Sequence, residues 1–182
     1  ATAEWLAEKG VQKLWLTSRS GAAGETGRAT IAALRKSGVS IEMVGNDATK
    51  PGDVEALFAE IAADGTALKG IIHSAMSLDD QLFASLDPAR IEAVMKPKIA
   101  SAALIDQASR EIDLDHFIMY SSVTTLFGNP GQAPYVAANV YLESLAAARR
   151  QAGVPGLAVG WGPIADIGYL AREEQMRDLL ER

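Results

Sequence analysis

The sequence predicts an α/β fold: a doubly wound parallel sheet with helices on both faces. Two observations predict it. Short apolar strands alternate with helical patterns along the whole chain, the signature of a parallel sheet covered on both sides. No internal repeat, low-complexity tract or linker interrupts that alternation, and 182 residues suffice for one domain, 1–182, with a sizeable core.

Residues Ala1 to Lys9 read as a helix, with Gly10 at its C-terminal cap. Lys13 to Ser18 is a short buried strand, followed by a loop over Arg19 to Gly24. Thr26 to Lys36 is a second helix, stopped by Ser37-Gly38. Val39 to Val44 alternates as a strand does. Pro51 opens the next helix at a position proline favours, and Val54, Leu57, Phe58 and Ile61 fall on one of its faces. Leu68 to His73 is a third strand. Asp87-Pro88 caps a helix with Ile91, Val94 and Met95 inward. Pro97 is expected to kink that helix, which resumes to about Arg110. His116 to Ser121 is the fourth strand, and a Gly- and Pro-rich loop leads to a long helix from about Pro134 to Gln151. Leu157 to Trp161 is the fifth strand, and Tyr169 to Arg182 a polar helical tail.

Composition excludes several classes of function. A net charge of -6 argues against nucleic acid or an anionic membrane surface as the main partner. With no cysteine there is no disulfide framework or thiolate metal site, which fits a reducing cytoplasm. Two histidines exclude a His-rich metal site. No apolar run is long enough for a membrane span, and the first residues lack the pattern of a signal peptide.

In parallel sheets of this kind, ligands bind beyond the carboxyl ends of the strands. Ser18, Asp47, His73, Ser122 and Trp161 lie at or just past strand ends, so the sequence predicts that they line one crevice. Tyr135 and Asn139 are one helical turn apart and share a face. Each candidate alone has a plainer reading. The pair could sit on the surface of any helix, Ser121-Ser122 could be turn residues, and Lys98 could be a solvated lysine. As a set they gain meaning. A phenol near pKa 10 is a poor proton donor at neutral pH unless a cation lowers it, and Lys98 lies on a helix flanking the same strand ends.

That set resembles the short-chain dehydrogenase/reductase superfamily, and within it the ketoreductase domains of modular polyketide and fatty-acid synthases. Three blocks carry the resemblance: Tyr120-Ser121-Ser122, then Gly128 through Gly131-Gln132 to Tyr135 and Asn139, then Gly160-Trp161-Gly162. Ordinary superfamily members carry Tyr-x-x-x-Lys. Here Asn139 stands in place of that Lys, and Pro97-Lys98 on the preceding helix resembles the synthase arrangement that supplies it.

The resemblance implies a Rossmann-like fold and an NADPH-dependent enzyme. Tyr135 would donate a proton to a carbonyl oxygen, Ser122 would orient that oxygen, and Asn139 would support the relay. Lys98 would hold cofactor ribose hydroxyls and assist Tyr135. Many dinucleotide folds end their second strand with an acid; Ser18 and Arg19 stand in its place here and suit a 2′-phosphate. Asp47 and Ala48 would lie beside the adenine. Ser74 and Ala75 would lie along the cofactor, with Met76 where the superfamily has Gly. Pro163 and Ile164 would contact the nicotinamide carboxamide. Leu78-Asp79-Asp80 resembles the mark of enzymes giving a D-configured β-hydroxyl, and Phe127 stands near where enzymes of the opposite hand carry Trp. Ala137 is not the Pro associated with some α-substituted substrates.

The substrate implied is a β-ketoacyl thioester on the phosphopantetheine arm of an acyl carrier protein, with the other synthase domains as partners. A dinucleotide fold opens with a strand and a Gly-rich turn, and this chain is expected to be a piece lacking both. Two alternatives stay open: a non-catalytic bracing subdomain of a synthase, and a free-standing reductase of small carbonyl compounds.

Overall fold

In the computed structural model, which describes residues 1–21 and 23–163, the chain divides into two compact units, Ala1–Asp47 and Ala48–Arg182. The first holds helix α1 (Thr2–Glu8), strand β1 (Lys13–Ser18), helix α2 (Glu25–Lys36) and strand β2 (Ser40–Gly45). β1 and β2 pair in parallel, with Leu14 opposite Ile41 and Ser18 opposite Gly45. Ile31 and Leu34, one α-helical step apart on α2, close over Val39 and Ile41 to make this unit's small core. The Arg35 guanidinium donates to the Ile41 carbonyl at 2.6 Å, tying the end of α2 to β2.

The second unit holds helix α3 (Pro51–Ala63), strand β3 (Gly70–His73), helix α4 (Pro88–Ala108), strand β4 (His116–Ser122), helix α5 (Thr124–Phe127), helix α6 (Ala133–Gln151) and strand β5 (Leu157–Trp161). The strands form a parallel sheet in the order β3-β4-β5. Val54, Leu57 and Ile61 of α3 are buried as their spacing predicts. The core gathers Ala102 of α4, Leu114, Phe117 and Met119 of the central strand, and Leu142 and Ala146 of α6. Full burial of a side chain such as Leu142 stabilises by about 1.5–3 kcal/mol. The small Ala102 and Ala146 allow close packing there.

One buried ion pair joins these layers. Arg149 of α6 donates from Nη1 to Asp106 Oδ1 of α4 at 2.5 Å and from Nε to the Pro155 carbonyl at 2.6 Å. Its guanidinium lies 3.8 Å from the centre of the Phe117 ring. Arg110 reaches the other oxygen of Asp106 at 2.7 Å, so the buried carboxylate is fully paired.

The structure corrects several sequence expectations. β3 starts at Gly70 rather than Leu68, because Lys69 offers its carbonyl to the turn amides of Asp115 and His116. β2 runs one residue later than expected and includes Gly45. α4 passes through Pro97 as one uninterrupted helix, with the Ser101 hydroxyl bonded to the Pro97 carbonyl, and it ends at Ala108. Thr124–Phe127 is a turn of helix where a loop was expected, and Phe83–Ser85 forms a 3-10 turn. The expected tail helix from Tyr169 lies outside the described residues. Among the described residues no helix is long and apolar enough to cross a membrane.

Candidate active site

Strand β4 ends on two serines with different fates. Ser121 donates to Glu143 Oε1 of α6 at 2.6 Å, so its proton is spent on structure. Ser122 Oγ accepts from the Thr124 amide at 3.2 Å and from Thr124 Oγ1 at 3.0 Å. A hydroxyl accepting twice keeps its own proton to donate. Ser122 pairs in register with Trp161, whose ring meets Tyr120 edge-on at 5.4 Å between centroids.

Helix α6 presents Tyr135 in its first turn. The phenol oxygen lies 3.9 Å from Met76 Sδ. Met76 follows the exposed Ser74 and Ala75 beyond β3. Lys98 of α4 is 2% exposed. Its ammonium donates to the Tyr120 carbonyl at 2.8 Å and stands 5.6 Å from the centre of the Tyr135 ring. Burial lowers the Lys98 pKa to about 8. Lys98 and Tyr135 are thus brought together, and β4, whose end carries Ser122, supplies the carbonyl that anchors the cation. Asn139 is fully buried. Its Nδ2 donates to the Tyr135 carbonyl at 2.9 Å, while Oδ1 has no hydrogen-bond donor among the described residues.

His73 departs from expectation. It does not line a crevice: it is 3% exposed, with Nε2 2.5 Å from Ser101 Oγ. Burial, and then the charge of Lys98, lower its pKa to about 4.

The acidic motif has a mechanical role that sequence reasoning missed. Arg90 grips both oxygens of Asp79, at 2.8 and 2.9 Å. Gln132 Nε2 donates to Asp80 Oδ2 at 2.8 Å, and the Gln81 amide donates to the Gly131 carbonyl at 2.9 Å. Gly131 sits at φ 83°, a backbone conformation that suits glycine at this turn. The signal was present: Gln132 lies three residues before Tyr135 in the same motif, but nothing in sequence pairs it with Asp80.

In the first unit, the Ser18 carbonyl accepts from the Gly21 amide at 3.0 Å and the Asn46 amide at 2.9 Å. Gly21 takes φ 63°, and a Cβ on it would come within 2.8 Å of the Gly45 nitrogen, so the loop after β1 lies tight against the end of β2. Ser18 Oγ is buried without a partner among the described residues, and Arg19 beside it is exposed. A buried hydroxyl next to an exposed guanidinium fits an anionic group such as a phosphate. Asp47 and Ala48 are half-buried at the boundary between the units, and Pro163 is exposed after β5. Ile164 lies outside the described residues.

Comparison with known proteins gives the family. The family model for the KR domain matches residues 1–166. A phenolphthiocerol/phthiocerol polyketide synthase of Mycobacterium tuberculosis is 37% identical over 177 residues, covering 97% of this chain and 8% of that protein. Polyketide synthase GfsA of Streptomyces halstedii is 37% identical over 180 residues, covering 99% of this chain and 2% of that protein. The chain thus spans under a tenth of the length of either relative. Among solved structures, A-type ketoreductases from a modular polyketide synthase superpose with TM-score 0.92 at 34% identity, over 100% of this chain and 38% of that one. The ketoreductase from the first module of phoslactomycin biosynthesis in Streptomyces sp. HK803 gives 0.91 at 31%, over 99% and 41%. Parallel sheets of Rossmann-like type, a match along most of the chain and relatives that are polyketide synthases lead to one conclusion: the chain belongs to the KR, or ketoreductase, domain family of polyketide synthases, whose members are oxidoreductases.

Proposed function

We propose that residues 1–182 belong to a single ketoreductase domain, as a piece of it, and that this domain uses NADPH to reduce a β-ketoacyl thioester, held on an acyl carrier protein of the same cytoplasmic synthase, to the D-β-hydroxyacyl product. The observation that carries this reading is the buried Lys98 ammonium, 2.8 Å from the Tyr120 carbonyl and 5.6 Å from the Tyr135 ring. A cation held there favours the phenolate that proton donation leaves behind.

Tyr135 donates its phenolic proton to the carbonyl oxygen of the substrate. Ser122, with both acceptances filled by Thr124, turns its own proton toward that oxygen and orients it. Lys98 uses one N–H on the Tyr120 carbonyl and turns the others to the cofactor ribose. The Asn139 Oδ1, buried beneath Tyr135, serves the relay that returns the proton. NADPH supplies hydride chemistry when bound. Ser18 and Arg19 would hold its 2′-phosphate, Asp47 and Ala48 its adenine, Ser74 and Ala75 its backbone, and Pro163 and Ile164 its carboxamide. The Asp79-Asp80 loop would guide the acyl group to one face, with Phe127 at the rim in place of Trp.

The test is turnover of the complete synthase polypeptide on a short β-ketoacyl thioester, with NADPH oxidation and product configuration read together. Tyr135→Phe is expected to lower the rate by roughly 10²–10⁴, the usual worth of a general acid. Undiminished turnover in that variant removes Tyr135 from the mechanism. Absence of NADPH binding by the unaltered protein would favour a bracing, non-catalytic subdomain.

A further inference from the structure

We propose that His73 is a positioning residue for the proton-transfer pair: through Ser101 it fixes the Pro97–Ser101 turn of α4 from which Lys98 reaches the Tyr120 carbonyl and the Tyr135 ring. This rests on the reading of Lys98 and Tyr135 given above.

The geometry assigns each proton. With the Ser101 hydroxyl hydrogen on the Pro97 carbonyl, Ser101 Oγ accepts from His73 Nε2 at 2.5 Å, and the His73 ring also interacts with the Pro97 backbone, so both side chains converge on that turn. His73 is therefore the Nε2–H tautomer, a donor aimed at α4. Both side chains are buried, Ser101 to 1% exposure. The turn they hold is one that needs holding. Pro97 has no N–H, so the Ala93 carbonyl loses its helical partner and the backbone is weakest just before Lys98. A side chain from β3 supports that turn through a hydroxyl, and the same turn carries the cation. Lys98 meets the Tyr120 carbonyl from β4 and the Tyr135 ring from α6, and its charge lowers the His73 pKa. His73 never touches the reacting atoms. It acts through the placement of Lys98, for which errors of about 1 Å can cost on the order of 100-fold in rate.

Gln carries an N–H donor about as far from its backbone as His Nε2, whereas Leu fills the volume without a donor. In the complete synthase polypeptide, His73→Leu is expected to lower kcat by roughly 10- to 100-fold with KM within about twofold, and His73→Gln to restore most of it. Ser101→Ala is the second probe, should His73→Leu fail to fold, and is expected to follow His73→Leu. A readout independent of turnover is the Lys98 titration in cofactor-free protein, followed by NMR of the ammonium. It should stay near 8 in His73→Gln and rise toward 10.5 in Ser101→Ala as water enters the loosened turn. The proposal is overturned if His73→Leu or Ser101→Ala keeps full kcat and an unmoved Lys98 titration while Lys98→Met loses activity. Full activity in Lys98→Met instead overturns the proton-transfer reading itself.

Discussion

Gln132 Nε2 donates to Asp80 Oδ2 at 2.8 Å, across 52 positions of sequence and three residues ahead of Tyr135. The bond joins the loop after β3 to the N-terminal cap of α6, so the acidic motif and the phenol are mechanically one object. A partly exposed hydrogen bond to a carboxylate contributes about 1 kcal/mol. Asp80→Ala is therefore expected to lower kcat/KM by about fivefold and to erode the configurational purity of the β-hydroxyl, read by chiral chromatography. A variant with unchanged rate and purity would show the loop to be a bystander.

Acid should destabilise this unit through His73. Its pKa falls from 6.5 unfolded to about 4 folded, because burial and the nearby Lys98 disfavour the imidazolium. Between those values the unfolded chain binds more protons, so stability is intact above 6.5 and lost as pH falls through 4, by up to about 3 kcal/mol. His73→Gln should flatten that limb of the urea-midpoint curve. An equal acid limb in both proteins would locate the effect elsewhere.

Lys98 works in the opposite pH range. Its folded pKa of about 8 lies below the unfolded 10.5, so the buried ammonium is a penalty at neutral pH, relieved as pH rises from 8 to 10.5. Lys98→Met removes about 3 kcal/mol of penalty and forfeits about 1.5–3 kcal/mol for the charge-assisted bond to the Tyr120 carbonyl. At pH 7 the variant is expected to melt no lower than the parent while losing turnover. A lower melting temperature would mean that the bond outweighs the burial.

Gly156 is a tight point at the far end of α6. A Cβ there would lie 2.7 Å from the Ala146 carbonyl oxygen and 2.8 Å from Arg149 Cβ, neither of which can swing aside. Gly156→Ala should destabilise by about 1–3 kcal/mol, read as a lowered thermal midpoint. No change would show that the 153–157 turn yields.

The strands and long helices were legible because their signals are local: apolar runs, Pro51 and Pro88 at helix starts, glycines after helix ends. The boundary at Leu68 slipped because Lys69 is engaged by backbone amides before β4, and that at Val39 because its amide caps α2 at the Leu34 carbonyl. The candidate tyrosine, serine, lysine and asparagine were legible as a spaced pattern. His73 was misplaced because position at a strand end does not fix which face a side chain takes, and here Ser101 drew it inward. The Asp80–Gln132 and Asp106–Arg149 bonds were invisible for the same reason: each pairs residues more than 40 positions apart.

Helix α6 is bolted at both extremities, by Gln132 to Asp80 near its start and by Arg149 to Asp106 and the Pro155 carbonyl at its end. Such a helix behaves as a fixed ruler and cannot slide to suit a bulkier ligand. Adaptation to a new substrate must then come from the short stretches beside it, Met76–Leu86 and Thr124–Gly131. Libraries aimed at altered chain length belong there, and those that vary the body of the helix should return mostly unfolded protein.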